Sequence, residues 1–217
     1  PGKNKTIHLK QQTAYPWDGH ILITLVEIPR EKWTFKLRIP GWARNQVLPG
    51  DLYSYVTYSH KPISITVNGQ YFPFEEKNGY AVLTRKWKNG DTIEMILPMK
   101  PLLVKAHNKV EDDRNKCAVE YGPVVYCAEF ADNDGEISTI ILPDTASFKA
   151  VYQPGLLGGI TMLKGKALRI VKTADNKLTE KETPLCLIPY YARSHRGRGE
   201  MSVWLPDTPD PFFSKNP

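Results

Sequence analysis

Apolar and polar residues alternate at period two across much of the region from Ile21 to Leu97, and the alternation breaks at turn-forming residues. That is the pattern of antiparallel strands with one face in a core and one in water. In Thr34-Phe35-Lys36-Leu37-Arg38-Ile39 the positions Phe35, Leu37 and Ile39 are expected inward, and Pro40-Gly41 ends the strand. Ile63 to Val67 runs into Asn68-Gly69, a strong hairpin signal because both residues tolerate positive φ. Tyr80 to Thr84 and Thr92 to Leu97 form a second expected hairpin, with Gly90 in its turn.

Pro98 and Pro101 are expected to stop that strand, and the polar stretch from His107 to Lys116 marks a domain boundary. Beyond it Gly122-Pro123 divides the segment Ala118 to Glu129. Short strands are expected at Ile137 to Leu142, Gly159 to Leu163 and Ala167 to Lys172. A charged loop is expected from Thr173 to Thr183, then strands at Leu185 to Ala192 and Met201 to Leu205. With 18 Pro and 15 Gly spread along 217 residues, a normal helix has little room. The expected fold class is therefore all-β: two antiparallel, jelly-roll-like β-sandwich domains.

Charge changes this picture little. The net charge is +6, but Lys and Arg are interleaved with Asp and Glu, and neither a recognition helix nor an aromatic RNA-binding signature accompanies them. No nucleic-acid partner and no membrane span are expected. The three cysteines, Cys117, Cys127 and Cys186, fit no zinc spacing; Cys127 and Cys186 read as small buried hydrophobes, with a disulfide between two of the three left open.

A glycosidase of the common kind needs two carboxylates facing across a cleft. The doublets Glu75-Glu76 and Asp112-Asp113 cannot supply them, since neighbours on a strand point to opposite faces, and Glu120 and Glu129 read as surface charges. Asp132-Asn133-Asp134-Gly135-Glu136 begins like a calcium loop but lacks the later Glu, so a turn is expected. The histidines His8, His20, His60, His107 and His195 accompany no nucleophile motif. Aromatic rings remain, because sugar C–H faces stack on them. Tyr53, Tyr55 and Tyr58 are expected in a loop as ligand or interface residues.

Several blocks recur in order: Tyr15-Pro16-Trp17-Asp18-Gly19, Leu37 to Ala43 with Trp42, Val67-Asn68-Gly69, Gly79-Tyr80 with Arg85, Trp87 and Gly90-Asp91, Leu97-Pro98-Met99, Tyr121 to Cys127, and Ile188-Pro189-Tyr190-Tyr191-Ala192. Together they resemble the non-catalytic region of glycoside hydrolase family 127. The resemblance implies a β-L-arabinofuranosidase-like parent in which an (α/α)6 barrel, absent from this chain, holds the active site with a zinc-bound cysteine from an adjacent pair. No catalytic residue and no cofactor are then expected here; zinc would belong to the barrel. After the Tyr-Tyr-Ala block, Arg196 and Gly197 match the family, but Arg193-Ser194-His195 departs from its Trp-containing pattern.

The resemblance also implies a second sandwich inserted into the first: residues 1–103 and the closing strands 185–206 as one domain, 104–184 as the other, and 207–217 as a tail. The chain reads as an excised segment whose partner is the barrel, with Trp17, Trp42, Tyr53, Tyr55, Tyr58, His195 and Arg196 as domain-interface or ligand candidates. Carbohydrate is a further expected partner, and a periplasmic or extracellular location is expected. The rival readings are an independent carbohydrate-binding module and a structural sandwich unrelated to sugars.

Overall fold

The computed structural model describes residues 6–59, 61–134 and 136–209; His60, Gly135 and residues 210–217 of the expected tail lie outside the described residues. Contacts divide the chain into two compact units, Pro1–Asn45 with Ser59–Met99, and Gln46–Tyr58 with Lys100–Pro217. In chain order the strands are β1 (His8–Thr13), β2 (His20–Glu27), β3 (Lys32–Arg38), β4 (Tyr53–Tyr55), β5 (Ser64–Val67), β6 (Gln70–Tyr71), β7 (Glu75–Lys77), β8 (Tyr80–Lys86) and β9 (Thr92–Ile96). They continue as β10 (Pro101–Ala106), β11 (Lys116–Tyr121), β12 (Val124–Glu129), β13 (Ile140–Ile141), β14 (Phe148–Gln153), β15 (Ile160–Lys172), β16 (Leu178–Pro189), β17 (Met201–Ser202) and β18 (Leu205–Pro206). Every pairing between them is antiparallel. The all-β class expected from sequence is what the chain adopts.

In the first unit a five-stranded sheet, β1-β2-β9-β5-β6, and a three-stranded sheet, β3-β8-β7, supply one core. Leu25, Ile65, Val67, Ile93 and Met95 come from the first sheet, and Ala81 and Leu83 from the second, with Ile39 and Trp87 flanking it. Alternation along β3 is as read: Phe35 and Leu37 are inward, and Lys36 and Arg38 are exposed. Asn68 and Gly69 take φ of 53° and 76°, the positive pair a tight hairpin needs. The neighbouring turn is tied to this one. Buried Asp91 accepts from the Asn68 amide at 2.9 Å and from the Lys88 N–H at 2.9 Å, so each polar atom brought inside has a partner.

The second unit is one ten-stranded sheet with the path β13-β15-β16-β12-β11-β10-β4; β14 joins β15, β17 joins β12, and β18 joins β11. The sheet folds over on itself. The Leu142 N–H, just after β13 at one end of the path, donates to the Pro206 carbonyl of β18 at 2.7 Å.

Three sequence expectations are corrected here. The closing strands do not return to the first sandwich: β16 pairs with β15 and β12, β17 with β12, and β18 with β11, all in the second unit. A tight 173–177 turn sets the β15–β16 register, which carries β16 onward beside β12. The division falls at Met99/Lys100 rather than 103/104, because Pro101 opens β10 instead of ending β9, a position where a strand loses no ladder hydrogen bond.

Lastly, the two short strands expected at 159–163 and 167–172 are one 13-residue strand, and most of the expected charged loop is β16. Gly165, which falls between the two expected strands, is a packing position: a Cβ there would lie 2.4 Å from the Ser147 carbonyl oxygen and 2.7 Å from the Phe148 ring.

Candidate functional site

The segment from Gly50 to Tyr58, expected to be a loop of aromatic ligand candidates, has β4 at its centre, paired with β10 so that Tyr55 lies opposite Val104 and Tyr53 opposite Ala106. Tyr55 is 4% exposed. It packs with Leu102, Val104 and Ala118, and its hydroxyl donates to Glu120 Oε2 at 2.7 Å. Burial, then the adjacent carboxylate, pushes the Tyr55 phenol well above its ordinary range, so it stays a neutral donor. Glu120 is not the surface charge expected from sequence. Burial makes its carboxyl a weaker acid, holding its pKa above the usual carboxylate range, and the Tyr55 hydrogen bond opposes that rise only in part.

Linkage gives that shift a sign. A carboxyl raised in the folded state binds more protons folded than unfolded, so its contribution to stability falls as pH rises from about 4.5 through the raised value. Glu120→Gln is therefore expected to be more stable than the parent at pH 7 and equal to it near pH 4. Thermal melts at the two values check this; a variant less stable at pH 7 would contradict it.

Tyr53 is also anchored, its ring 5.8 Å from that of Trp204 at a tilt of 30°. What residues 46–58 leave exposed is Leu48, Leu52 and Tyr58, each more than half accessible at 54%, 53% and 53%. The Tyr58 backbone is tied down, its carbonyl accepting from Lys100 Nζ at 2.8 Å.

In the first unit Trp42 lies in a one-turn 3-10 segment, Gly41–Arg44, half-buried against the core with Tyr15 stacked 6.5 Å away. Its indole Nε1 is buried and has no acceptor among the described residues. Trp17 is half-buried too. Of the acidic doublets, Glu76 pairs with Arg44 at 2.8 Å and Glu75 with Lys77 at 3.0 Å, while Asp112 and Asp113 sit in a solvent-facing 3-10 turn.

Arg196, expected as an interface or ligand residue, is a clamp inside the second unit. Its Nη1 donates to Asp132 Oδ1 at 2.7 Å and its Nε to Glu129 Oε2 at 3.2 Å, while the Ser194 N–H donates to Glu129 Oε1 at 2.6 Å. His195 points outward and is exposed. Asn133, the next residue of the expected turn, is buried and substitutes for a strand partner: its amide donates to the carbonyls of Glu129 and Cys186 and accepts from the Cys186 N–H, all at 2.8–2.9 Å. With Asp132 committed to Arg196 and Asn133 turned inward, the described residues of this turn offer no cage of oxygens for calcium. Glu120 and Glu129, which flank Gly122-Pro123, are each tied to a different partner, so they are not a facing catalytic pair.

All three cysteines are free thiols; Cys117 and Cys127 are buried and Cys186 is half-buried. No two are adjacent, so the zinc-bound cysteine pair implied for the family's barrel has no counterpart among them. A different set missed by sequence reading, Cys117, Asp144 and Asp207, brings one ligand atom each to within 4.8 Å of the others, from positions too far apart in sequence to give a spacing signal.

Residues 2–99 match the family described as "Beta-L-arabinofuranosidase, GH127 middle domain", and residues 101–206 match the "Glycoside hydrolase family 127 C-terminal domain". A non-reducing end β-L-arabinofuranosidase from Bifidobacterium longum subsp. longum is 33% identical over 214 residues, 90% of this chain and 30% of that protein. A solved GH127 β-arabinofuranosidase superposes with a TM-score of 0.88 at 44% identity, covering 94% of this chain and 32% of its own. A GH127 β-L-arabinofuranosidase from Geobacillus stearothermophilus T6 gives 0.81 at 32% identity, covering 94% and 31%. The chain thus spans about a third of the length of these relatives. With two matches that abut at residue 100 and together run almost end to end, the chain belongs to glycoside hydrolase family 127, of which it carries the middle and C-terminal domains.

Proposed function

We propose that this chain is the accessory β-sandwich segment of a glycoside hydrolase acting on β-L-arabinofuranoside-type plant glycans, supporting a catalytic barrel carried elsewhere in the same polypeptide. The observation that carries the reading is the 46–58 segment. Tyr53 and Tyr55 anchor it from beneath, and it holds Leu48, Leu52 and Tyr58 out to solvent, an apolar surface that a larger polypeptide would cover. The carboxylates singled out in the sequence support it as well, being paired, hydrogen-bonded or scattered on the surface. A glycan-degrading role places the parent in the periplasm or outside the cell.

Two experiments test this. Incubated with an aryl β-L-arabinofuranoside and zinc, the chain alone is expected to release no product; zinc-dependent release would overturn the accessory role. In the full polypeptide, the pair Leu52→Glu and Tyr58→Glu is expected to lower the thermal midpoint by several degrees and to reduce turnover, while circular dichroism of the chain alone stays unchanged. Titration with arabinan separates the binding-module reading. There, saturable binding lost on Tyr58→Ala would favour a module, and Tyr58 is the informative position because Tyr55 is buried.

A further inference from the structure

Lys105, on β10, reaches two carboxylates at once, with its Nζ 2.7 Å from Asp144 Oδ2 and 2.8 Å from Asp207 Oδ2. Beside it in the sheet, directly opposite in register, is Cys117 on β11. That thiol is fully buried and its Sγ lies 3.6 Å from Asp144 Oδ1. The acidic residues come from elsewhere in the unit: Asp144 follows β13, and Asp207 follows β18, where its N–H donates to the Asn115 carbonyl at 3.0 Å. Four separate stretches of the chain therefore converge on one point.

The convergence is incompletely satisfied. The Asp207 side chain is only 7% exposed, and its Oδ1 is buried with no hydrogen-bond partner among the described residues. A buried carboxylate oxygen without a donor is destabilising, and the Lys105 ammonium answers only the other oxygen. An acceptor of this kind beside a thiol and a second carboxylate is the state expected of ligands whose cation is not bound.

We infer that Cys117, Asp144 and Asp207 form a binding site for a zinc-class divalent cation, which Lys105 occupies with its ammonium group when the metal is away. Charge is conserved in the exchange. Two carboxylates, a neutral thiol and one ammonium sum to −1; two carboxylates, a thiolate and a divalent ion also sum to −1, with the ammonium moved into water and the thiol proton released to solvent. A soft sulfur with two hard oxygens selects Zn²⁺ or Cd²⁺ over Ca²⁺ and Mg²⁺, which take oxygen alone.

The geometry needs little adjustment. Bond lengths of about 2.0–2.3 Å around a tetrahedral ion put ligand atoms about 3.5 Å apart, so the present spread of up to 4.8 Å closes by side-chain rotation. Asp144 and Lys105, with side chains 48% and 34% exposed, give the ion a way in and the ammonium a way out, and water would fill the fourth position.

The test is a Cd²⁺ titration of the 217-residue chain under a non-thiol reductant, read by the ultraviolet cadmium–thiolate charge-transfer band. One saturable equivalent per chain is expected. Cys117→Ser is expected to abolish the band, Asp207→Asn to weaken binding by about tenfold, and Lys105→Met, which removes the competing cation, to tighten it by about as much. Cys127→Ser and Cys186→Ser are expected to leave it intact. No saturable band in both the parent chain and Lys105→Met would overturn the site, as would a band that survives Cys117→Ser or vanishes with Cys186→Ser. The parent titration decides the matter even if one of these variants fails to fold.

Discussion

Arg196→Met is expected to destabilise the second unit by about 3–5 kcal/mol at pH 7, the usual loss when one member of a buried ion pair is removed. The reason lies in what is left behind. The side chains of Glu129 and Asp132 are 9% and 14% exposed, and Arg196, at 19%, is the cation between them. Its guanidinium is held protonated, chiefly by its hydrogen bond to Asp132 and also by that to Glu129. Methionine keeps the volume but leaves two neighbouring carboxylates without it.

Urea unfolding at pH 7 measures the loss. Lys166→Met is the control, since that lysine is 73% exposed, its partner Glu182 is 63% exposed, and such pairs contribute little. Equal midpoints for the two variants would mean that the clamp is ornamental, and adding Glu129→Gln to Arg196→Met should recover part of the loss.

How far the sequence revealed this molecule depended on whether one strand face met water. In β3, β5, β8 and β9 it does, and period-two alternation located all four. In the second unit that signal was diluted. β16 opens with Thr179 to Glu182 exposed on both faces, which reads as a charged loop, and β15 reads as two strands on either side of the stretch that holds Gly165, whose missing side chain makes room for the Phe148 ring. The return of the last strands depends on pairing partners about 60 residues apart, such as Cys127 opposite Ile188, which no local pattern encodes.

The site residues divide in the same way. Exposure of Tyr58 and half-burial of Trp17 and Trp42 follow from their places in turns. Tyr55 lay in the one short strand of an otherwise irregular segment, and its partner Glu120 is 65 positions away. Arg196 was singled out for a motif match, yet its partners at positions 129 and 132 make it a structural clamp. Family membership was legible from ordered motifs; the partners of individual charged groups were not.

One of those motifs ends in Gly19, and Gly19→Ala is expected to lower the stability of the first unit by about 3 kcal/mol, the upper range for forcing atoms into a packed site. Backbone torsion is not the cause, since its φ is not in the left-handed region. Space is the cause. Gly19 sits just before β2, where its carbonyl accepts from the Leu97 N–H at 2.9 Å, and a Cβ would stand 2.0 Å from the Leu97 carbonyl oxygen.

Neither side of that contact can yield cheaply. The Thr13 hydroxyl donates to the His20 carbonyl at 2.6 Å and the His20 N–H donates to Asp18 at 2.9 Å, fixing the chain on both sides of the glycine, while Leu97 is itself 4% exposed. Gly155 provides the comparison: a Cβ there meets nothing within 4 Å and φ is outside the left-handed region, so Gly155→Ala should be neutral or stabilise by about 0.4–1 kcal/mol through the unfolded chain. Hydrogen exchange at β2 and β9, run beside thermal melts, should register the first substitution and not the second. Protection unchanged by Gly19→Ala would mean that Leu97 moves aside at no cost, and the steric account of this glycine would fail.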